Sequence, residues 1–121
     1  MKKIPNAVGP YSAYRLAGGF LYISGQIAIN PETQEIEETT VEGQAKQVME
    51  NIKAILENNG LTTANVIKTT VLLDNIADFG TVNEIYAGYF SEPYPARSAF
   101  EVGKLPKNAL VEIETIAYVK K

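Results

Sequence analysis

Residues 95–114 read Pro-Ala-Arg-Ser-Ala-Phe-Glu-Val-Gly-Lys-Leu-Pro-Lys-Asn-Ala-Leu-Val-Glu-Ile-Glu. They contain one extended run, a short polar break and the beginning of a second extended run. The first run, residues 97–103, alternates between two faces and begins with Arg97. The second run, residues 110–119, alternates in the same way and carries Glu112. Because the break is short, the pattern predicts that the runs pair as an antiparallel hairpin. If their charged faces coincide, Arg97 and Glu112 meet on a half-apolar surface.

The composition predicts one globular domain spanning residues 1–121. Hydrophobic residues make up 45% and charged residues 21% of the 121 residues, which is ordinary for a globular protein. Eleven basic and fourteen acidic residues give a net charge of −3 without a basic cluster, so we expect no nucleic-acid partner. Neither a long apolar run nor a charged-then-apolar leader is present. We therefore expect no membrane association and a cytoplasmic location.

The absence of two residue types narrows the possible chemistry. The sequence contains no Cys and no His. Disulfides, thiolate nucleophiles and Cys-ligated zinc are excluded, as are mechanisms with a histidine base. The glycines lack phosphate-loop spacing, so no nucleotide site is predicted. We expect no metal and no cofactor, and any catalysis must use carboxylates, Tyr, Lys, Ser, Arg and backbone groups.

Hydrophobic periodicity predicts the order strand, strand, helix, strand, helix, strand, strand. Besides the two terminal runs, strands are predicted at residues 11–17, 20–26 and 66–73, and helices from about residue 41 to the Asn-Asn-Gly stop at 58–60 and at about residues 78–90. Thr39 and Glu42 fit a capping box for the first helix. This ββαβαββ order predicts an α+β fold, a mixed sheet with both helices on one face. The other sheet face combines Tyr, Ile and Phe with polar groups, so we expect a homo-oligomer that buries it.

Arg97 and Glu112 are the candidates for chemistry. A guanidinium offers two parallel donors to a carboxylate, so Arg97 could hold an acidic ligand. The alternative is an ion pair with Glu112 or Glu101 that only neutralises the sheet surface. Glu112, among apolar neighbours, could act as a general base, because burial raises a carboxyl pKa toward the working range. Glu112 could equally face solvent, and the sequence alone does not choose between it and Glu114.

Three further residues are weaker candidates. Tyr11 lies in Gly-Pro-Tyr-Ser at the entrance of the first strand, and Ser24 precedes Gly25, where a glycine allows close approach to the backbone. Asn83 lies inside the second helix, where asparagine is unfavourable unless it faces a partner or a ligand. Each of these residues, taken alone, also fits a turn or a surface position.

Taken together, these segments resemble the RidA/YjgF family of reactive-intermediate deaminases across nearly the whole chain. The resemblance rests on residues 9–12, on residues 22–26, on Thr-Val-Asn at 81–83 with Tyr86, and above all on residues 95–114. It implies a chorismate-mutase-like fold, a mixed sheet with two helices on one face. It further implies a homotrimer that packs its bare sheet faces together, with a cleft at each subunit boundary.

The resemblance also implies an activity, the hydrolysis of 2-imino acids or their enamine tautomers to 2-keto acids and ammonia. The substrates would be 2-iminobutanoate and 2-iminopropanoate, the latter with its tautomer 2-aminoacrylate. By resemblance, Arg97 would hold the substrate carboxylate and Glu112 would activate water. The remaining cleft groups would be the side chains of Tyr11, Ser24 and Asn83 and the backbone amides near Gly25 and Ala99. An imine carbon is already electrophilic, so orientation and one general base suffice.

Ala99 is a departure, because many members of the family have cysteine at this position. A thiol role would be lost here, whereas a backbone amide role would survive. A second interpretation, from another functional class, is a non-catalytic trimer that senses a keto acid or regulates another protein. RNA cleavage, also associated with the family, is disfavoured by the acidic charge and the lack of histidine.

Overall fold

The computed structural model describes residues 1–119. Its strands are β1 (Tyr14–Ala17), β2 (Phe20–Gln26), β3 (Ile29–Asn30), β4 (Glu35–Ile36), β5 (Val66–Leu73), β6 (Ala96–Glu101) and β7 (Val111–Tyr118), and its helices are α1 (Val41–Asn58) and α2 (Phe79–Ala87). Five strands form one sheet in the order β1-β2-β7-β5-β6, and β3 pairs with β4 in a separate ribbon. Within the five-stranded sheet only β5 and β6 are parallel. The predicted α+β class and mixed sheet are confirmed.

Both helices pack on one face of the sheet, which we call the helix face. Period-two alternation from Thr69 to Leu73 of β5 and along β7 sends every second side chain into this core, and Val71 and Ile113 are each 1% exposed. α1 contributes the opposite apolar stripe, in which Ile52 is also 1% exposed. Full burial of one such side chain contributes about 1.5–3 kcal/mol. The helix face is therefore the main source of stability and leaves the second sheet face uncovered.

The N-cap of α1 lies one residue later than the sequence pattern predicts. The N-cap is Thr40, whose hydroxyl accepts a hydrogen bond from the Gly43 backbone N–H at 3.0 Å. The predicted capping box of Thr39 and Glu42 is therefore wrong, because the third helical residue is a glycine without a side chain to reach back. The predicted stop is confirmed, since Gly60 has a φ of 73°. No helix within residues 1–119 is long and apolar enough to span a membrane.

The β1–β2 turn is formed by Gly18 and Gly19, whose φ values of 59° and 83° are those that the predicted primed turn requires. β1 is shorter than predicted, because it begins at Tyr14 and not at Tyr11. The preceding residues turn instead of extending: the Tyr11 backbone N–H donates to the Gly9 carbonyl at 2.8 Å. This turn keeps Tyr11 out of the sheet and places it at the sheet's end.

The predicted terminal hairpin is wrong, because β5 lies between β6 and β7. β6 follows β5 through the α2 crossover, the type of connection that makes neighbouring strands parallel. The segment between β6 and β7 is not a simple turn. Its Leu105 and Ala109 are buried against Ile27 and Ile29, so the chain crosses the end of β5 as a packed connection.

The same topology separates the two charged candidates. Arg97 is in register with Thr69, which is buried beneath the helices. Glu112 is in register with Leu72, and its chain neighbours point into the core. Because successive residues of a strand face opposite sides, Arg97 lies on the helix face and Glu112 on the other face. Within one chain, the charged faces of the two runs do not coincide.

Candidate active site

Glu112 lies at the side of the sheet away from the helices, beside a cavity of about 50 Å³. The other residues lining this cavity are Pro5, Asn6, Ala7, Val8, Tyr11, Ala13, Gly25, Gln26, Ile27, Ile29 and Pro106. Partial burial raises the pKa of the Glu112 carboxyl, and the nearby negative charge of Glu114 raises it further. The two glutamates differ in their surroundings, because Glu112 is half-buried beside this cavity whereas Glu114 is exposed.

Gly25 allows the Glu112 side chain to approach the backbone of β2. The register of β2 against β7 shifts between Ile23 and Gln26, so the strand is irregular at this point. A methyl group added to Gly25 would overlap the Glu112 carboxylate. The absence of a side chain at Gly25 therefore creates the space that the Glu112 carboxylate occupies.

Tyr11 and Ser24 lie in the same region. The Tyr11 hydroxyl accepts a hydrogen bond from the Val8 backbone N–H at 3.3 Å, which holds the ring against the N-terminal segment. The Ser24 hydroxyl donates to the Ser12 carbonyl at 2.6 Å. Both residues also line a groove of about 650 Å³ on the uncovered face of the sheet. The structure therefore brings Tyr11, Ser24, Gly25 and Glu112 together, and we call this group the carboxyl half-site.

Arg97 and Asn83 form a second group, the arginine half-site. Arg97 Nη1 donates to Asn83 Oδ1 at 2.7 Å, which links β6 to α2. Both side chains are exposed and face a cavity of about 460 Å³, whose other lining residues are Tyr86, Ala87, Tyr94 and Pro95. This contact explains an asparagine in the interior of α2, because its amide oxygen has a charged partner.

Two aromatic residues of the arginine half-site were missed by sequence reasoning. The Arg97 guanidinium carbon lies 5.3 Å from the ring centroid of Phe79 and 4.9 Å from that of Tyr86. Both distances are within the range of a cation–π contact. The available signal was spacing, because Phe79, Asn83 and Tyr86 follow at four and three residues on one side of a helix. The apolar period of α2 predicts core packing for both rings and gives no sign of a cation against them.

The alternative of a structural ion pair is not supported for Arg97. Among residues 1–119, the ion pairs join Lys2 to Glu57, Lys3 to Glu32 and Lys46 to Glu42. Within the same residues, no carboxylate lies within ion-pair distance of Arg97. Glu101, one of the two proposed partners, instead accepts a hydrogen bond from the Ile76 backbone N–H at 2.9 Å.

Ala99 is on the same side of β6 as Arg97 and packs partly against the main core. Within residues 1–119, β6 is an edge strand whose one partner is β5. An edge strand presents alternate backbone N–H groups to its surroundings. The segment around Ala99 can thus offer backbone donors beside Arg97, although its methyl side chain has no polar atom.

The two half-sites have complementary chemistry and opposite locations. The arginine half-site presents a fixed cation suited to a carboxylate. The carboxyl half-site presents a glutamate with a raised pKa next to hydroxyl groups and the backbone. Because the sheet separates them, one small ligand cannot touch both half-sites of the same chain.

The chain is an α+β protein whose mixed five-stranded sheet carries both helices on one face. Residues 1–119 match the family model described as Endoribonuclease L-PSP. The chain belongs to this family, which is also called the RidA/YjgF family, so the predicted resemblance is confirmed.

Relatives in this family carry several kinds of name. A RutC family protein of Pyrococcus horikoshii is 54% identical, with 94% of this chain and 90% of that protein covered. The human 2-iminobutanoate/2-iminopropanoate deaminase is 47% identical over 95% of this chain and 84% of its own length. A Lactococcus lactis protein named as a regulator, AldR, is 50% identical over 96% and 92%. The family thus includes imine deaminases, while some members are named for other roles.

Solved structures have the same fold. RidA from the Antarctic bacterium Psychrobacter matches with a TM-score of 0.92 and 48% identity, covering 97% of this chain and 94% of that one. TdcF from E. coli, solved with bound serine, matches with a TM-score of 0.92 and 40% identity over 98% and 94%.

Proposed function

We propose that this protein is a hydrolytic deaminase that converts 2-imino acids and their enamine tautomers to 2-keto acids and ammonia. The observation that carries the proposal is the arrangement of Arg97. Its guanidinium is fixed by Asn83 and by two aromatic rings, is open to a cavity, and has no carboxylate partner among the described residues. A cation held in this way fits the carboxylate of a small acid. The human relative named as a 2-iminobutanoate/2-iminopropanoate deaminase supports the same reaction class.

Arg97 is proposed to bind and orient the substrate. Its Nη1 uses one N–H to reach Asn83, and the other guanidinium donors remain for a paired contact with two carboxylate oxygens. Fixing the carboxylate also fixes the adjacent C=N carbon, which is one bond away in a 2-imino acid. Orientation of this kind can contribute several kcal/mol to catalysis.

Glu112 is proposed to activate the attacking water. Its carboxylate removes a proton while the water oxygen bonds to the imine carbon, and the π electrons of C=N move to nitrogen, which takes up a proton. The resulting carbinolamine collapses to a C=O bond and releases ammonia. A positioned general base contributes about 10²–10⁴-fold. The imine carbon is electrophilic without further activation, so the step needs neither a covalent nucleophile nor a cofactor.

We further propose that a second copy of the chain completes each site, in a homotrimer. Arg97 and Glu112 face opposite sides of one sheet, so a ligand that uses both must lie between two subunits. On the uncovered face, the side chains of Tyr22, Phe100 and Tyr118 are between 45% and 54% exposed. Together they form an apolar surface suited to contact with a neighbouring subunit. In this arrangement β6 and α2 of one subunit approach the carboxyl half-site of the next.

A coupled assay tests the reaction. A threonine dehydratase generates 2-iminobutanoate, and semicarbazide competes with the protein for the imine. We expect the protein to speed formation of 2-ketobutyrate and to reduce the semicarbazone product, and the Arg97→Ala variant to do neither. An imine lifetime that is the same with and without the protein would contradict the proposal.

The second candidate function is a regulatory protein that binds a keto acid without turnover. The Lactococcus lactis relative named as a regulator favours it. Binding of 2-ketobutyrate without any acceleration of imine hydrolysis would support this function over the deaminase. Both candidates require Arg97 to hold a carboxylate, and only the deaminase requires Glu112 as a base.

A further inference from the structure

We infer that Tyr86 is a positioning residue, which holds the Arg97 guanidinium in its carboxylate-binding orientation and is itself held by Thr69. This inference rests on the proposed carboxylate site and adds a residue that acts through Arg97. It starts from the guanidinium carbon, which lies 4.9 Å from the centroid of the Tyr86 ring.

The Tyr86 ring has little freedom to move. The side chain is 5% exposed, and its hydroxyl shares a hydrogen bond of 2.7 Å with the Thr69 hydroxyl, which is 1% exposed. The Tyr86 ring also packs against the Phe90 ring, with the two centroids 4.7 Å apart. Burial raises the pKa of the Tyr86 phenol, so the group stays neutral at physiological pH and keeps its hydrogen bond. The Arg97 guanidinium therefore lies over a ring whose position is fixed.

The hydrogen bond to Asn83 does not fix Arg97 alone. One bond from Nη1 leaves the guanidinium free to tilt about that contact, and both Arg97 and Asn83 are exposed to water. The rings of Phe79 and Tyr86 add contacts with the guanidinium plane, and the electron-rich face of each attracts the cation. Of the two, Tyr86 is the more buried and is anchored to β5, the strand that pairs with the Arg97 strand.

The first measurement is made on the ligand-free protein, so it does not depend on the proposed reaction. Side-chain NMR of Arg97 reports the rate of rotation about its Nε–Cζ bond. We expect slow rotation in the wild type and in Tyr86→Phe, which keeps the ring, and faster rotation in Tyr86→Leu. Equally slow rotation in Tyr86→Leu would overturn the inference, because the Asn83 contact would then be sufficient.

The second measurement is carboxylate affinity, with 2-ketobutyrate as the probe in calorimetry. We expect Tyr86→Leu to weaken binding about tenfold and Tyr86→Phe to stay within about threefold of the wild type, in keeping with loss and retention of a cation–π contact. The matched control is Leu21→Ala, which removes apolar volume from the same core on β2, a strand that pairs with neither β5 nor β6. This control should lower stability to a similar degree and leave affinity unchanged.

The outcomes separate the two proposals. Equal loss of affinity in Leu21→Ala and Tyr86→Leu would show that affinity follows the stability of the core, and it would assign Tyr86 a purely structural role and overturn the inference. A wild-type protein that binds no 2-ketobutyrate would contradict the proposed function, and the rotation measurement would still decide whether Tyr86 positions Arg97.

Discussion

Arg97 and Glu112 lie on opposite faces of one sheet, because β5 separates their strands and their registers place them on different sides of it. Arg97 is opposite Thr69 of β5, and Glu112 is opposite Leu72. These two register positions are three residues apart along β5, an odd offset, so the two side chains point in opposite directions. A reaction that needs both groups therefore needs more than one copy of the chain.

Mixing two inactive variants should restore activity if each site lies between subunits. Arg97→Ala keeps the carboxyl half-site, and Glu112→Gln keeps the arginine half-site. In a randomly mixed homotrimer, about a quarter of the sites would combine two intact halves. We therefore expect about a quarter of wild-type activity after joint refolding, measured by 2-ketobutyrate formation.

The control for this mixing experiment pairs two variants of the same half-site. Arg97→Ala mixed with Asn83→Ala leaves no site with an unaltered arginine half-site, so activity should not recover as it does for the first pair. Absence of recovery in both mixtures, with mixed trimers shown to be present, would contradict a site shared between subunits.

A lysine should not replace Arg97. Arg97→Ala is expected to lower kcat/KM by about 10²-fold or more, as for loss of one partner in a desolvated charge pair. Arg97→Lys should recover little of this loss, because an ammonium cannot make the paired contact and stacks poorly on the rings of Phe79 and Tyr86. Steady-state kinetics with both variants checks this expectation. Near wild-type kcat/KM in Arg97→Lys would show that only the positive charge matters.

The pH dependence of kcat/KM should depend on Glu112 and respond to Glu114. A general base must be ionised, so activity should fall as pH falls through the raised pKa of Glu112. Glu114→Gln removes a negative charge that raises this pKa, so the acidic limb should move to lower pH. Glu42→Gln at the start of α1 removes the same charge from a residue outside both half-sites and should leave the limb in place.

Two results with Glu112→Gln would contradict the role of Glu112 as the general base. An acidic limb that persists unchanged in Glu112→Gln would mean that another group is the base. Loss of 2-ketobutyrate binding in Glu112→Gln, equal to that in Arg97→Ala, would assign Glu112 a structural role, because removal of a base should slow turnover and spare ligand binding.

Gly25 should be intolerant of even a methyl group. In Gly25→Ala the new methyl would overlap the Glu112 carboxylate, which must move away. A displacement of about 1 Å at a catalytic group can cost about 10²-fold, so we expect a loss of that order in kcat. Gly80→Ala is the control, because a methyl there meets no atom within 4 Å. This helical substitution should keep kcat and raise stability by up to about 1 kcal/mol.

Local sequence patterns predicted the elements well and their pairing less well. α1 follows from its apolar period and β5 from a β-branched run between Asn65 and Asp74, and β5 has the predicted bounds, residues 66–73. The pairing of β6 with β5 depends on contacts between residues about 28 positions apart, such as Thr69 and Arg97, which a short-range turn pattern cannot report. The sequence did offer one sign that residues 102–110 form a packed connection, because the apolar Leu105 and Ala109 lie among its polar residues. The structure buries both.

The candidate site was predicted in its parts but not in its arrangement. Residue chemistry and the family resemblance indicated Arg97, Glu112 and Asn83, and the structure joins Arg97 to Asn83. The aromatic contacts of Phe79 and Tyr86 with Arg97 were missed, because an apolar stripe on a helix predicts core packing whether or not a cation lies against it.

Thr69 and Thr115 are directly opposite each other on β5 and β7 and should respond in opposite ways to replacement by valine. Both are almost fully buried, at 1% and 2% exposure. The Thr69 hydroxyl is bonded to Tyr86, whereas the Thr115 hydroxyl has no hydrogen-bond partner among the described residues. A buried polar group without a partner destabilises the fold, and valine has nearly the same shape as threonine.

We therefore expect Thr115→Val to raise the free energy of unfolding by about 1 kcal/mol and Thr69→Val to lower it by about 1–2 kcal/mol, since the second change leaves the Tyr86 hydroxyl unpaired. Denaturant unfolding at one fixed protein concentration measures both changes and keeps any contribution from subunit association comparable. Destabilisation of similar size in both variants would mean that the Thr115 hydroxyl has a partner in the folded protein, such as a bound water.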